Sequence, residues 1–211
     1  MRRLALIALF AIAGCGGGGG STTSTTTTGS AGVRLGPAFG SFSGLPGIQD
    51  TPPPWTPGNG APLSARLKAI GIDASPMEGA VVHIHVHLDI WVDGHKVTVP
   101  TNVGISVKEG FLSPLHTHDP TGIIHVESHT ASDFGLGQVF GVWGVPLGRT
   151  QIGSLHTGGG KELKVWVNGR PLDADPTRIV LKAHQEIAIA YGTSAQMPKT
   201  VPASYAFPSG L

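Results

Sequence analysis

The 211-residue sequence contains a single cysteine, Cys15, and charged side chains make up only 13% of it. With one thiol the chain forms no internal disulfide, and thiolate chemistry is confined to that position. The apolar run over residues 4–13 is short of the roughly 20 residues that a membrane-spanning helix needs. Basic and acidic side chains number 14 and 13, so the chain has no basic field for nucleic acid. Any metal held by the rest of the chain must therefore accept nitrogen and oxygen ligands.

The apolar run nevertheless has the features of an export signal. Arg2 and Arg3 precede it, and the small residues Ala13 and Gly14 come directly before Cys15. This arrangement resembles the lipobox of bacterial lipoproteins. The resemblance implies cleavage before Cys15, a diacylglycerol thioether on its sulfur, and a lipid anchor in a membrane outside the cytoplasm, facing the periplasm or the cell surface. An ordinary signal peptide with a chance cysteine is the alternative.

Composition divides the chain into three segments. We expect a signal peptide over residues 1–14, a Gly/Thr/Pro-rich flexible tether over 15–61, and a folded domain over 62–211. The glycine and threonine runs of the tether bury too little apolar surface to offset the entropy cost of ordering them. Scattered apolar residues from Val33 to Trp55 are candidates for docking part of the tether on the domain. At the start of the domain, a short helix is predicted between a cap at Ser64 and a stop at Gly71.

Histidine is the unusual component of the domain. Eight of the ten histidines fall between residues 81 and 129, with three carboxylates among them: His83, His85, His87, His95, His116, His118, His125 and His129, with Asp89, Asp119 and Glu127. Imidazole and carboxylate groups bind divalent metals, and imidazole titrates near neutral pH. The grouping therefore predicts a metal site or a proton-handling site.

Alternation places the first histidines on a strand. Between residues 81 and 92 every even position is aliphatic, whereas the odd positions include His83, His85 and His87. Because side chains alternate between the two faces of a strand, all three histidines are predicted on one face. Residues 123–128 alternate in the same way and place His125 and Glu127 on one face.

The remaining patterns predict the fold class. Further strands are expected at residues 97–99, 103–107, 161–167, 179–181 and 186–190, with a hairpin turn at Asn168-Gly169 and a short helix over 134–143. Long helices do not alternate with these strands. We therefore expect a mainly β (β-rich α+β) chain, in which a single antiparallel sheet forms a sandwich or barrel-like domain with one or two short helices.

Strand geometry limits which histidines share a metal. Neighbours on one face lie about 6.5–7 Å apart, whereas metal–imidazole bonds are about 2.0–2.1 Å long. We therefore expect two of the first three histidines to join ligands from another segment. The full set of candidate ligands is His83, His85, His87, His116, His118, His125 and Glu127, and Asp89, Asp119 and His129 are candidates for orienting them from behind. Zinc or copper(II) suits this set best, and iron(II) is the alternative.

Three segments carry a resemblance to a known family. Residues 83–94, 114–128 and 136–144 resemble uncharacterised exported bacterial and archaeal proteins that contain HxHxHLxIxVDG and PLHTHDxTGIIHVES segments. The resemblance covers most of residues 81–192 and implies that the histidine segments belong together, but it implies no activity. A His-x-His pair followed by glutamate also resembles cupins, which are β-barrels. The interval from His118 to Glu127 is longer here than in cupins.

Three functions fit these residues. The first is a metal-binding lipoprotein that senses, buffers or delivers a metal outside the membrane. The second is a metal-dependent hydrolase or oxidoreductase, in which Glu127 or Asp119 serves as general base for a metal-bound water. The third is a structural or adhesive domain whose histidines form only hydrogen bonds. An open coordination position beneath a pocket favours the enzyme, whereas a closed site or ligands on a bare surface favour binding.

Overall fold

A computed structural model describes residues 32–211 and the backbone of Thr27–Thr28. The predicted signal peptide, Cys15 and the glycine run lie outside the described residues. In the part of the chain that is described, no helix has the length and apolar character needed to cross a membrane.

The described residues form thirteen strands, two α-helices and one turn of 3-10 helix at Pro176–Arg178. The strands are β1 (Thr27–Thr28), β2 (Arg34–Leu35), β3 (Val82–Val92), β4 (His95–Val97), β5 (Ile105–Ser106), β6 (Phe111–Leu112), β7 (Leu115–His116), β8 (Ile123–Ser128), β9 (Gln151–Ile152), β10 (Leu155–His156), β11 (Lys161–Val167), β12 (Arg170–Pro171) and β13 (Glu186–Thr193). The helices are α1 (Ala61–Ala69) and α2 (Leu136–Trp143).

A seven-stranded sheet organises the molecule. Its order is β12-β11-β13-β3-β8-β7, and β4 pairs with the second half of β3. Five of its strand pairs are antiparallel, whereas β13 and β3 run parallel. The expected mainly β class with two short helices is confirmed. The sheet is mixed because β13 runs parallel to β3, which a long connection between them allows. The strand order is open, with β12 and β7 at its ends, so the sheet does not close into a barrel.

The long alternating strands match their sequence patterns closely, and the short elements match less well. Helix α1 begins at Ala61 after Gly60 and has a proline in its first turn, so Ser64 lies inside it and does not cap it. Residues 179–181 form no strand, since Ile179 and Val180 make only isolated bridges to Leu35 and Gly135. Asn168 and Gly169 have φ angles of 50° and 74°, as the predicted hairpin turn requires.

The aliphatic face of β3 belongs to the hydrophobic core. Val86, Leu88 and Ile90 are buried and share one cluster with Phe140 and Trp143 of α2. Strand alternation therefore leaves the histidines of β3 on the opposite face of the sheet. Residues before position 62 also enter this core, since Val33, Leu35 and Trp55 are buried in it. The indole of Trp55 packs edge-on against that of Trp143, with 5.7 Å between the ring centroids.

A buried arginine ties this N-terminal segment to α2. The guanidinium of Arg66 is fully buried and donates hydrogen bonds to the carbonyl oxygens of Val142, Pro46 and Gly58. Burial lowers the pKa of Arg66 to about 10, so the group stays charged at neutral pH. Its positive charge also lies at the C-terminal end of α2, where the helix dipole favours a cation.

We expect Arg66→Met to lower the free energy of unfolding by about 3 kcal/mol, because the buried carbonyl of Val142 and the partly buried carbonyls of Pro46 and Gly58 lose a charged donor. Urea denaturation of the purified chain would measure this change. Lys68→Met, on the exposed side of the same helix, is the matched control and should change the stability by less than about 0.5 kcal/mol. An equal effect of the two substitutions would contradict the assigned role of Arg66.

Candidate metal centre

The register of three neighbouring strands assembles a histidine cluster. His85 of β3 lies opposite His125 of β8, and His83 lies opposite Glu127. On the other side of β8, His116 of β7 also lies opposite His125. Side chains that face each other across strands approach to about 5 Å. The pairing thus brings imidazoles from three segments to one face, although they are distant in the sequence.

The imidazole rings of the cluster touch one another. The ring centroids of His85 and His125 are 4.6 Å apart, and those of His83 and His85 are 5.0 Å apart. On the other side, His118 lies 4.5 Å from His125 and 4.7 Å from His116. The structure therefore brings together five of the predicted ligand histidines.

Glu127 occupies the centre of the cluster and is only 4% exposed. Its Oε1 lies 2.8 Å from Nδ1 of His125, 3.5 Å from Nε2 of His83 and 3.7 Å from Nε2 of His85. Its Oε2 is 3.7 Å from Nε2 of His116 and has no hydrogen-bond partner among the described residues. The two oxygens thus face two different groups of histidines.

Hydrogen bonds at Nδ1 fix the tautomers of two of the rings. The Nδ1–H of His116 donates to the carbonyl oxygen of Ser113 at 2.9 Å, because a carbonyl only accepts. The Nδ1–H of His125 similarly donates to Glu127. In both residues Nε2 is left with its lone pair, which is the tautomer that metal-ligating histidines commonly adopt. Nε2 of His116 lies 3.1 Å from Nε2 of His118.

The buried imidazoles resist protonation. Burial, together with the neighbouring His125 and His83, lowers the pKa of His85 to about 4. Burial likewise lowers the pKa of His116 to about 4 against the opposing charge of Glu127. Burial acts to raise the pKa of Glu127, but the hydrogen bond from His125 and the nearby imidazoles outweigh it, so this pKa is lowered. At neutral pH His85 and His116 are therefore neutral beside an ionised Glu127, which is the state that binds metals.

Three overlapping groups in this cluster have ligand atoms within 4.8 Å of one another. They are His116 with His118 and His125; His83 with His85 and Glu127; and Glu78 with His116 and Glu127. The Oε1 of Glu78 lies 3.2 Å from Nε2 of His118. A Cβ on Gly79 would meet the backbone of Ser128 at 2.1 Å, so this glycine permits the close approach that brings Glu78 to the site. The sequence pattern did not single out Glu78, because it lies in an irregular segment.

His87 lies apart from the other two histidines of β3. Its Nε2–H donates to the carbonyl oxygen of Thr121 at 2.9 Å, its Nδ1 lies 2.8 Å from Glu186 Oε2, and its ring stacks on Tyr205 at 3.8 Å. Glu186 is the partner of His87 in the parallel pair of β13 and β3, and burial raises its pKa. Together with Asp89, these two residues form a further group within 4.8 Å. His87 therefore contributes to a second location and not to the main cluster.

The three residues expected to orient the ligands have other partners. Asp89 lies 2.6 Å from Nζ of Lys96. Asp119 accepts a hydrogen bond from the backbone N–H of Thr121 at 2.9 Å, and its interaction with Thr121 lowers its pKa. Nε2 of His129 lies 3.0 Å from the hydroxyl of Ser75. Within the described residues, orientation of the imidazoles comes instead from the Ser113 carbonyl and from Glu127.

No family model, curated protein or solved structure matches this chain. The resemblance to exported histidine-rich proteins therefore stays an expectation, and the residues of the cluster themselves carry the functional argument.

The low pKa values of His85 and His116 predict how the metal-free protein responds to acid. In the unfolded chain a histidine binds a proton near pH 6.5, whereas these two remain neutral in the fold down to about pH 4. The unfolded state therefore binds more protons between these values, and stability falls as the pH falls. We expect a loss of about 1.4 kcal/mol per pH unit for each histidine between pH 6 and 5.

Urea denaturation in the presence of a chelator, repeated at half-unit steps of pH, would measure this slope. Substitution of the exposed His156 by Gln should leave the slope unchanged, and His116→Gln should reduce it. A stability that is constant from pH 7 to 5 would show that these imidazoles are protonated in the folded state as easily as in the unfolded one.

Proposed function

We propose that this protein is an exported, lipid-anchored metal-binding protein, and that His116, His118 and His125 hold a divalent ion. The observation that carries the proposal is the convergence of these three imidazoles, each of which offers a ring nitrogen within 4.8 Å of the others. Around a tetrahedral ion with bonds of about 2.0–2.1 Å, ligand nitrogens are about 3.3 Å apart. The separation of 3.1 Å between Nε2 of His116 and Nε2 of His118 is close to that value.

Hydrogen bonds to the rings support the same proposal. The carbonyl oxygen of Ser113 accepts the N–H of His116, and Glu127 at the centre of the cluster accepts the Nδ1–H of His125, so that both rings are held in fixed orientations as in metal sites. A cluster that served only hydrogen bonding would pair its buried nitrogens. Nε2 of His85 is buried and has no hydrogen-bond partner within the described part of the chain, which disfavours the purely structural function.

Ligand chemistry favours zinc or copper(II). The ligand atoms are imidazole nitrogens and carboxylate oxygens, and a three-histidine site is well suited to either ion. Iron(II) is the alternative for the group of two histidines and one carboxylate formed by His83, His85 and Glu127.

Exposure at the rim favours binding, sensing or delivery of the ion. The side chain of His118 is 43% exposed and that of Glu78 is 53% exposed, so solvent or a partner reaches this side of the site. The enzymatic alternative is favoured by one observation: three histidines leave a fourth position, and the carboxylate of Glu78 lies beside it. For an enzyme, Glu78→Gln would abolish hydrolysis of an activated ester such as p-nitrophenyl acetate while the bound metal is retained.

The decisive measurement is the metal content of the purified domain after loading with zinc and removal of free ions. We expect at least one ion per chain, and we expect the double substitution His116→Ala/His118→Ala to remove one ion per chain, because two of three ligands are lost. Elemental analysis and the zinc-dependent rise in melting temperature would both report this loss.

The matched control removes two exposed histidines outside the cluster, His95→Ala/His156→Ala. This variant should keep the metal content of the wild type. A folded wild-type protein that retains no zinc or copper, and that neither ion stabilises, would rule out the metal function and leave the structural one.

The lipid anchor has its own test, because it depends on Cys15 alone. When the full precursor is expressed in a bacterium with radiolabelled palmitate, we expect labelled protein in the membrane fraction that detergent releases and high salt does not. Cys15→Ala should abolish the label. Equal labelling of the two proteins, or none of the wild type, would contradict lipidation at this residue.

A further inference from the structure

We propose that the cluster is a binuclear centre: a second divalent ion binds between His83, His85 and Glu127, and the carboxylate of Glu127 bridges it to the ion held by His116, His118 and His125. This inference rests on the proposed metal function and extends it from one ion to two.

The number of ligands is the first argument. The cluster consists of five imidazoles and Glu127, whereas a tetrahedral ion takes only four ligands. An ion bound to the three histidines from β7, β8 and the loop between them leaves His83 and His85 of β3 unused. His85 is 3% exposed, and its buried Nε2 has no hydrogen-bond partner among the described residues. A buried polar atom without a partner is costly, and a second ion would remove that cost.

The distances around the second position match those of a metal site. Nε2 of His83 and Nε2 of His85 lie 3.5 Å and 3.7 Å from Oε1 of Glu127. These separations are too long for hydrogen bonds of normal strength. They lie within a few tenths of an ångström of the edge, about 3.3 Å, between two ligands of one tetrahedral ion. The two Nε2 atoms and Oε1 of Glu127 are thus spaced like the ligands of one ion and not like partners in direct hydrogen bonds.

The orientation of the carboxylate provides the bridge. Oε1 of Glu127 faces His83 and His85, whereas Oε2 faces Nε2 of His116 at 3.7 Å and is buried without a hydrogen-bond partner in the described structure. Oε1 still accepts the N–H of His125, since a carboxylate oxygen has two lone pairs. Known two-metal sites hold their ions about 3.5–4 Å apart, a distance that a bridging carboxylate spans.

Charge is consistent with two ions as well. Every imidazole of the cluster binds a metal in its neutral form, and Glu127 and the nearby Glu78 supply negative charge. Water or hydroxide at the exposed side, next to His83 and His118, would complete the coordination of both ions. The side chains of these two histidines are 51% and 43% exposed.

Copper(II) titration of the intact domain tests the inference through both stoichiometry and magnetism. We expect two ions per chain by native mass spectrometry. At full loading we expect the electron paramagnetic resonance spectrum to lose most of its intensity near g = 2 and to gain a half-field signal, because two bridged copper(II) ions couple. His116→Ala/His118→Ala and His83→Ala/His85→Ala should each bind one ion and give the spectrum of isolated copper(II) at full intensity.

His83→Ala alone keeps the test valid if the double variants fail to fold, because His83 is exposed and its loss leaves the buried side chains in place. This variant should weaken the second ion at least tenfold and abolish the half-field signal. One ion per chain in the wild type would overturn the binuclear centre and leave the proposed metal function standing. Two ions without magnetic coupling would overturn the bridge, and no bound ion would refute the metal function itself.

Discussion

The burial of one carboxylate among imidazoles is the constraint on which this structure depends. Glu127 is almost inaccessible to water, and an unpaired buried carboxylate costs several kcal/mol. The sheet meets that cost by placing His83 and His125 beside it, one directly across the strand pair and one two residues earlier on the same strand. Because each neighbour is held by strand pairing, a shift of register by one residue would turn Glu127 and His125 away from the face that they share. Fold and site are therefore specified by the same hydrogen-bond ladder.

The two faces of the sheet have different roles. The aliphatic face of β3 packs against α2 and the N-terminal segment, where Leu88, Phe140 and Trp55 are buried. Arg66 adds a polar connection between that segment and the end of α2. The opposite face carries groups whose desolvation lowers the pKa of His85 and His116 and opposes folding in acid. The stability of the apolar face thus offsets the cost of desolvating the histidine cluster on the opposite face.

Part of the site was accessible from local patterns. Alternation placed His83 and His85 on one face of the first strand, and His125 and Glu127 on one face of a later strand. The spacing of residues along a strand predicted that two of the first three histidines would join ligands from another segment. It did not identify which one stands apart. His87 is separated because Glu186 lies opposite it in the parallel pair of β13 and β3, and alternation contains no information about strand direction or partner. Glu78 was missed for a related reason, since a single carboxylate in an irregular segment carries no periodic signal.

The amino-acid sequence by itself determined the β-rich class, the positions of the long strands and the strand face on which His83, His85, His87 and His125 lie, although β13 continues to Thr193, three residues beyond its predicted end. These features depend on side-chain alternation within a few residues, which is a local property of the chain. Tertiary structure decided that the sheet is mixed, that His87 pairs with Glu186, and that Glu78 reaches His118. Each of these contacts joins residues that are tens of positions apart. Their formation depends on how the core packs and how the connections cross, so that only the folded chain brings these side chains together.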